Sequence, residues 1–357
     1  MATYISFQPT DNFKTQIYTG TGATLAQTFP QTTAMQPDLT WIKCRDAGAR
    51  SHVLTDSVRG VNSQISSDVN DSQTTLTDAL TSFDSDGFTL GADTGGGEVN
   101  NSGDDFVSWN WKAGTTTGIT GSPSITPSSY SFNATSGVSI IAYTGNGTSG
   151  ATVPHGLGAL PQCILIKALE ASEDWTVFMA SLGGSNYGAN KFFVLNSTAR
   201  DGVNTNRFND TAPTTDLFSL GNGGEVNTSG NDYIAYCFRS INGFSSFGSY
   251  QGNGNADGPF VYTGFRPGWL VIKDTVSTGA NWYMWDNKRS GYNAANRQLY
   301  ADNSAVGSAS TAMDLFSNGW KLNTSSADLN VINQRFCYMA FSEFPTVSSN
   351  DVPGVAR

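Results

Sequence analysis

The stretch EVNNSGDDFVSWNW at residues 98–111 returns without a gap as EVNTSGNDYIAYCF at residues 225–238. Its first half is rich in Asn, Ser and Gly, which favour turns, and its second half alternates at period two. The pattern predicts a turn followed by a β-strand, and the many aromatic residues place that strand centrally in its sheet. Alternation assigns Phe106, Ser108 and Asn110 to one face and Val107, Trp109 and Trp111 to the other.

Three further elements recur outward from this strand, always in the same order. The opening element is YTGTG at 18–22, YTGNG at 143–147 and YQGNG at 250–254. A proline, an apolar run and a lysine follow, as PDLTWIK at 37–43, PQCILIK at 161–167 and PGWLVIK at 267–273. An alternating strand comes next, as DGFTLG at 86–91, DLFSLG at 216–221 and SNGWKLN at 317–323.

The proline-to-lysine element predicts a strand that is buried on both faces. Proline suits the first position of a strand because it cannot donate to the ladder. The lysine that closes the run is expected at the solvent edge. The third copy keeps the closing strand, at 335–341, but has only Leu329 and Asn330 in place of the shared turn.

These repeats predict an all-β protein of three tandem β-sandwich modules, jelly-roll or lectin-like in form, with an up-and-down barrel as the alternative. The expected division is module 1 at 1–114, a Gly/Ser/Thr/Pro linker at 115–130, module 2 at 131–240, module 3 at 241–345 and a polar tail at 346–357. Phe244 and Phe247 predict close packing of modules 2 and 3. A short helix is expected at 71–82.

Composition narrows the function classes. The net charge is −10 and no basic run is present, so we expect no nucleic-acid partner. No apolar run reaches membrane-spanning length, and MATYISFQPTDNF at the start lacks the features of a secretory signal, so we expect synthesis in a cytoplasm without membrane insertion. Four cysteines, Cys44, Cys163, Cys237 and Cys337, lack metal-ligand spacing and are interpreted as buried, reduced thiols.

No motif predicts catalysis, a cofactor or a metal. His52 and His155 are interpreted as structural, because neither recurs and neither has a nucleophile nearby. Asp84 begins a calcium-like pattern, DSDG, but the glutamate of such a loop is absent, so a turn is favoured. Glu98 and Glu225 recur, yet each stands beside a turn without an acidic partner placed for hydrolysis.

Two further features have both structural and functional readings. Asp56 and Arg59 parallel Asp286 and Arg289, a spacing that predicts local ion pairs that shape a turn, with a subunit interface as the alternative. The third copy also carries clustered aromatic residues, read either as core or as a glycan or receptor surface. These are Trp282, Tyr283, Trp285, Tyr292 and Tyr300, of which Trp282, Trp285, Tyr292 and Tyr300 are the candidate contacts.

Taken together, the repeats resemble a family of tandem-domain virion proteins of marine tailed bacteriophages, including cyanophages, described as tail-fibre-like or structural. The matching stretches are DLTWIK at 38–43, LTDSVRG at 54–60, TSFDSDGFTLG at 81–91, FVSWNWKAG at 106–114, HGLG at 155–158, ILIK at 164–167, GPFVYTGF at 258–265, DNKR at 286–289 and VPGVAR at 352–357. The resemblance covers nearly the whole chain and carries over no catalytic residue.

The resemblance implies a non-enzymatic virion protein with other virion proteins as partners. Our first hypothesis is a tail or fibre component that contacts the host surface, with surface polysaccharide as a ligand. The alternative is a decoration protein of the capsid or tail without a ligand, and a polysaccharide depolymerase is a minor third. A homo-oligomer is expected, with a trimer favoured.

Overall fold

A computed structural model describes residues 7–343, except 31, 32, 49, 184, 185, 291, 292 and 294. The fold is nearly all β, with 41% strand and 5% helix, which confirms the predicted fold class. The helical part consists of 3-10 turns at Pro9–Asp11, Ala180–Leu182 and Asn186–Gly188 and of two single-turn helices, α1 (Thr205–Phe208) and α2 (Gly224–Asn227).

The strands fall into three successive segments. The first contains β1 (Phe13–Thr19), β2 (Leu25–Thr28), β3 (Leu39–Cys44), β4 (Val53–Asp56), β5 (Ser63–Gln64), β6 (Thr74–Thr75), β7 (Leu80–Asp84), β8 (Gly87–Leu90) and β9 (Asp105–Trp111). The second contains β10 (Ser129–Asn133), β11 (Val138–Thr144), β12 (Ala151–Pro154), β13 (Cys163–Ala168), β14 (Thr176–Met179), β15 (Lys191–Val194), β16 (Gly202–Val203), β17 (Leu217–Leu220) and β18 (Asp232–Phe238). The third contains β19 (Ser245–Gln251), β20 (Phe260–Tyr262), β21 (Pro267–Asp274), β22 (Tyr283–Asp286), β23 (Arg297–Tyr300), β24 (Ser308–Ala309), β25 (Met313–Phe316), β26 (Gly319–Leu322) and β27 (Arg335–Ser342).

Each segment builds a main antiparallel sheet with the same strand order. The shared orders are β1-β9-β3-β4, β11-β18-β13-β14 and β19-β27-β21-β22, extended in the second and third segments by further strands. The closing strand of each segment is therefore central, as its aromatic content predicted. A smaller sheet accompanies each main one, with orders β2-β8-β7, β12-β17 and β20-β26-β25.

Alternation along the central strands creates two apolar faces per main sheet. On β9 the side chain of Phe106 joins the core of its own segment, whereas Val107, Trp109 and Trp111 join a cluster shared by all three segments. The same division holds on β18 and β27, and separate outer cores belong to the second and third segments. We call the shared set the central cluster; it includes Trp41, Trp109, Trp111, Leu165, Tyr236, Phe238, Trp269, Met339 and Phe341.

The central cluster joins the three segments through one common core. Phe244 and Phe247 both lie in it, which confirms that the second and third segments pack closely. Because one core is common to all segments, the boundaries of self-standing modules stay a prediction. The short helix expected at 71–82 is wrong, since β6 and the start of β7 occupy that stretch. The sandwich-like layering of main and smaller sheets is observed, whereas the jelly-roll form stays a prediction.

Candidate functional site

The three segments meet at the closing strands. Trp111, Phe238 and Phe341 hold matching positions on β9, β18 and β27, and their rings contact one another pairwise. The centroid distances are 6.5 Å between Trp111 and Phe238, 5.6 Å between Trp111 and Phe341 and 5.7 Å between Phe238 and Phe341. Three matching residues in mutual contact are the arrangement expected around a threefold axis, here formed within one chain.

A ring nitrogen from each segment bonds to a main-chain carbonyl of a neighbouring segment, from the second to the first, from the third to the second and from the first to the third. Nε1 of Trp175 donates to the carbonyl of Ser66 at 2.7 Å, and Nε1 of Trp282 donates to the carbonyl of Val194 at 3.0 Å. In the first segment His52 takes this role, with Nε2 lying 2.8 Å from the carbonyl of Tyr300.

The hydrogen bonds of His52 define its protonation. Nε1 of Trp41 donates to Nδ1 of His52 at 2.9 Å, so Nδ1 accepts and Nε2 carries the proton given to Tyr300. Burial first, and then the charge of Lys43, holds the pKa of His52 well below its usual value. His52 is therefore a neutral structural link between the first and third segments.

The repeated lysines also cross these interfaces. Nζ of Lys43 donates to the carbonyl of Ser304 at 3.1 Å, Nζ of Lys167 to that of Asn70 at 3.1 Å, and Nζ of Lys273 to that of Ser197 at 3.3 Å. All three side chains are buried, so the expectation of a solvent edge is wrong. The reason is that main-chain carbonyls of two segments replace water around each ammonium group.

Burial perturbs these ammonium groups in one direction. Burial lowers the pKa of Lys167 to about 8, against the opposing influence of Glu173, and it lowers the pKa of Lys273 to about 8, against that of Asp302. The pKa of Lys43 is lowered as well, again chiefly by burial. Buried charges without a directly bonded carboxylate are costly. Because such a lysine recurs at all three interfaces, we interpret these lysines as residues that hold neighbouring segments together.

Both ion pairs predicted from the sequence form, and each lies at an interface. Nε of Arg59 donates to Oδ2 of Asp56 at 2.6 Å, and the hydroxyl of Tyr236 from the second segment donates to the same oxygen at 2.7 Å. Nε of Arg289 likewise donates to Oδ2 of Asp286 at 2.5 Å. Burial opposes the charge of Arg59, yet Asp56 and Tyr236 together raise the pKa of Arg59.

The second pair repeats this arrangement with a different donor. Nε1 of Trp109, from the first segment, lies 3.3 Å from Oδ2 of Asp286, and the guanidinium of Arg289 lies 5.9 Å from the Trp109 ring centroid. Trp109 and Tyr236 hold matching positions on β9 and β18. A closing-strand donor thus binds a neighbouring aspartate at two of the interfaces.

The remaining interface is apolar at the matching position. On β14, Met179 stands opposite Cys163, as Asp56 stands opposite Leu39 and Asp286 opposite Trp269. The residue of β27 that corresponds to Trp109 and Tyr236 is Met339, whose sulfur lies 3.5 Å from that of Cys163. The aspartate and its donor are lost together, which explains why the second copy has no Asp-x-x-Arg motif.

The aromatic residues proposed as receptor contacts are chiefly core residues. Trp282 lies in the central cluster, and Trp285 lies in the third segment's own core. Both are essentially inaccessible, so the prediction that they stack on a glycan is wrong for these two. Tyr300 is partly buried and packs against Tyr283 at 5.1 Å, whereas Tyr292 lies outside the described residues.

The other candidate residues have local roles. Nδ1 of His155 accepts a bond from the amide of Leu157, and burial lowers the pKa of His155 to about 4. Asp84 accepts bonds from Ser82 and Thr89 beside its hairpin turn. Glu225 forms an ion pair with Arg207.

All four cysteines are free and buried, as predicted. In the described part of the chain, no group of three or more His, Cys, Asp or Glu side chains is placed to hold a metal.

Sequence reasoning missed the lysines and the ring donors as interface residues. Recurrence of the same lysine after three buried runs was the available signal, because a solvated side chain has no reason to be retained in repeats that otherwise diverge. The ring donors carried no such signal, since His52 and two tryptophans share no residue type.

The family of the chain follows from a match over nearly its full length. The model of a domain of unknown function, DUF7483, matches residues 8–345. The chain belongs to this family. A single DUF7483 match spans all three segments, in keeping with the core that they share. No curated protein matches the chain. No helix within the described ranges is long and apolar enough to span a membrane.

Proposed function

We propose that this DUF7483 protein is a non-enzymatic structural component of a tailed-phage particle. The observation that carries the proposal is the ring of three segments, closed by hydrogen bonds from buried lysines and aromatic rings. Asp56, Arg59, Asp286 and Arg289, the residues of the two predicted ion pairs, lie at the contacts that hold this ring together. A protein so constructed suits a rigid building block better than a reaction site that must bind and release a substrate.

Within the particle, the geometry favours a decoration protein of the capsid or tail. A single chain with threefold internal organisation matches a site of threefold or quasi-threefold symmetry on a protein lattice. The host-contact version, in which the protein belongs to the tail or fibre, loses support because Trp282 and Trp285 are buried. Other virion proteins are the expected partners under both versions.

Imaging of the particle tests the proposal. Antibodies against this chain, or its density in electron cryomicroscopy of purified virions, should place it in the particle at threefold or quasi-threefold positions. Absence from purified virions would refute the structural role. Density at the tail tip alone would refute the decoration version and support the host-contact version.

The host-contact version has a direct test of its own. Purified protein should bind host envelope fractions if that version holds, and bovine serum albumin in the same assay is the control. Release of reducing sugar from host polysaccharide by purified protein would instead support the depolymerase alternative and contradict the structural proposal.

A further inference from the structure

The outer face of the third segment carries exposed aromatic side chains on the strand β20. The exposed fractions are 46% for Phe260 and 69% for Tyr262, while Phe316 on β25 is 40% exposed. The rings of Phe260 and Phe316 meet edge to face at 6.0 Å across Gly319. A Cβ at Gly319 would clash with the main-chain carbonyl oxygen of Val261, so glycine is needed where β26 passes β20.

The matching strands of the other segments lack this feature. Strand pairing aligns Phe260 and Tyr262 with Ala26 and Thr28 in the first segment and with Thr152 and Pro154 in the second. The aromatic face is therefore specific to the third segment. Solvent exposure of large apolar residues on an edge strand invites pairing with another chain.

The ladder of β20 directs its main chain toward the open edge. The amide of Leu322 donates to the carbonyl of Pro259 at 3.2 Å, and the amide of Thr263 donates to the carbonyl of Asn318 at 3.0 Å. Antiparallel ladders alternate, so the N–H and C=O groups of Phe260 and Tyr262 point away from β26. β20 is the edge of its sheet, and no described residue bonds to those groups.

The second segment shows that this edge accepts an extended chain. Thr152, which matches Phe260, receives a bond at its carbonyl from the amide of Ile125 at 3.0 Å. Its amide donates to Oγ of Ser124 at 2.7 Å. Ile125 is buried there, so the predicted linker covers the edge of the second segment. The same edge of the third segment has no such cover among the described residues.

We propose that β20 pairs with β20 of a second copy of this chain, antiparallel and about a twofold axis through Val261. This register sets Phe260 opposite Tyr262 of the other copy, and the reverse. The outward amide and carbonyl groups of both residues then form four main-chain hydrogen bonds. Two cross-strand Phe–Tyr pairs lie on the outer face, an arrangement that stabilises antiparallel pairs.

The local charges permit this pairing. Lys321, which stands opposite Phe260 on β26, forms an ion pair with Asp257, so the patch carries balanced charge. Each chain nevertheless carries a net charge of −10, so two copies repel one another at low ionic strength. Since the paired strand is short, the dimer should be weak and should strengthen as salt screens the repulsion.

Sedimentation equilibrium of the full chain over a range of concentrations and salt tests the pairing. Wild-type protein should dimerise, and the double variant Phe260→Lys/Tyr262→Lys should weaken the dimer at least about tenfold, because like charges would stand opposite each other. The matched control is Ala26→Lys/Thr28→Lys, on the corresponding strand of the first segment, which should dimerise like wild type. Circular dichroism should show that each variant remains folded.

Amide hydrogen exchange provides a second readout that does not depend on a variant. The amides of Phe260 and Tyr262 should become protected as concentration rises, while those of Ala26 and Thr28 should not. A wild-type chain that remains monomeric at millimolar concentration and high salt would overturn the proposal. So would a dimer that the Phe260→Lys/Tyr262→Lys variant retains, since another surface would then hold the copies together.

Discussion

Asp56 accepts four hydrogen bonds inside the fold, from its own turn and from the neighbouring second segment. The amides of Val58 and Arg59 bond to Oδ1, and Nε of Arg59 and the hydroxyl of Tyr236 bond to Oδ2. A buried carboxylate is tolerated only when such donors replace water. The same carboxylate therefore shapes its own turn and fixes the position of the neighbouring segment.

We expect Asp56→Asn to lower the free energy of unfolding by about 3–5 kcal/mol, because it leaves the buried Arg59 without its counter-charge. Chemical denaturation measures the change. The control is Asp105→Asn, which removes a partly exposed pair with Arg45 at 2.8 Å and should cost less than about 1 kcal/mol. Equal effects of the two substitutions would contradict a special role for the buried pair.

The buried lysines predict an unusual pH dependence. The pKa of Lys273 is about 8 in the folded chain and about 10.4 in an unfolded one, so between these values the unfolded chain binds more protons. Stability contributed by this group therefore rises with pH above about 8 and is lost as pH falls through the folded pKa.

Denaturation between pH 7.5 and 9.5 should thus show a smaller rise in the free energy of unfolding for Lys273→Met than for wild type. Lys112→Met, which changes a partly exposed lysine, is the control and should follow the wild-type slope. A Lys273→Met slope identical to that of wild type would show that the Lys273 pKa is unperturbed.

For single residues, the sequence predicted which side chains form ion pairs better than it predicted how deeply a side chain is buried. The ion pairs of Asp56 and Asp286 could be foreseen because both partners lie three residues apart. The burial of Lys43, Lys167 and Lys273 could not, because the carbonyls that receive them, such as that of Ser304, come from distant parts of the chain.

Among the elements, the turn before each closing strand keeps the same hydrogen bonds in all three segments although its sequence differs. Asn100, Asn227 and Asn330 are all fully buried, and each side-chain oxygen accepts a bond from an amide of the opening element. The opening tyrosines repeat as well, since the hydroxyls of Tyr18, Tyr143 and Tyr250 donate to the carbonyls of Val99, Val226 and Leu329. The third copy lacks the Glu-Val-Asn-x-Ser-Gly motif, yet it keeps the asparagine and its bonds.

Replacement of Asn330 by alanine should therefore lower the free energy of unfolding as much as replacement of Asn100, by about 2–4 kcal/mol. The cause is the loss of partners for the amide of Asn253 and for the carbonyls of Asn255 and Thr324. Thermal or chemical denaturation would measure it. Asn255→Ala, at an exposed position of the facing loop between β19 and β20, is the control and should change stability by less than about 1 kcal/mol. A harmless Asn330→Ala would mean that the third turn does not depend on its asparagine.

The strands themselves were the most predictable elements. Their alternation names the buried faces directly, and the split of Val107, Trp109 and Trp111 from Phe106 on β9 is the one observed. The helix expected at 71–82 does not form. This stretch is polar and lacks a strong hydrophobic period, so strand pairing determines its conformation, and Thr74 pairs with Gln64.

At the scale of the molecule, the segments form a closed ring. Donors of the first segment bond to the third, those of the third to the second, and those of the second to the first. Such head-to-tail contacts close when the rotation is one third of a turn. The sequence revealed the repeats, but no local pattern distinguished a ring from a row of separate modules, because both require the same alternating strands.

The ring predicts that the segments unfold together. Removal of any one segment would expose the central cluster, including Trp111 and Phe238, whose burial each supplies on the order of 1.5–3 kcal/mol. We therefore expect one calorimetric transition for the full chain, with equal calorimetric and van't Hoff enthalpies.

Residues 1–240 expressed alone should show exposed apolar surface by dye binding and no cooperative transition. Trp269→Ala, within the third segment, should lower the midpoint of the whole transition, whereas Val276→Ala, at an exposed position of the same segment outside β20, should leave it unchanged. Separate transitions for the three segments, or a cooperative fold of residues 1–240, would show that the modules stand alone after all.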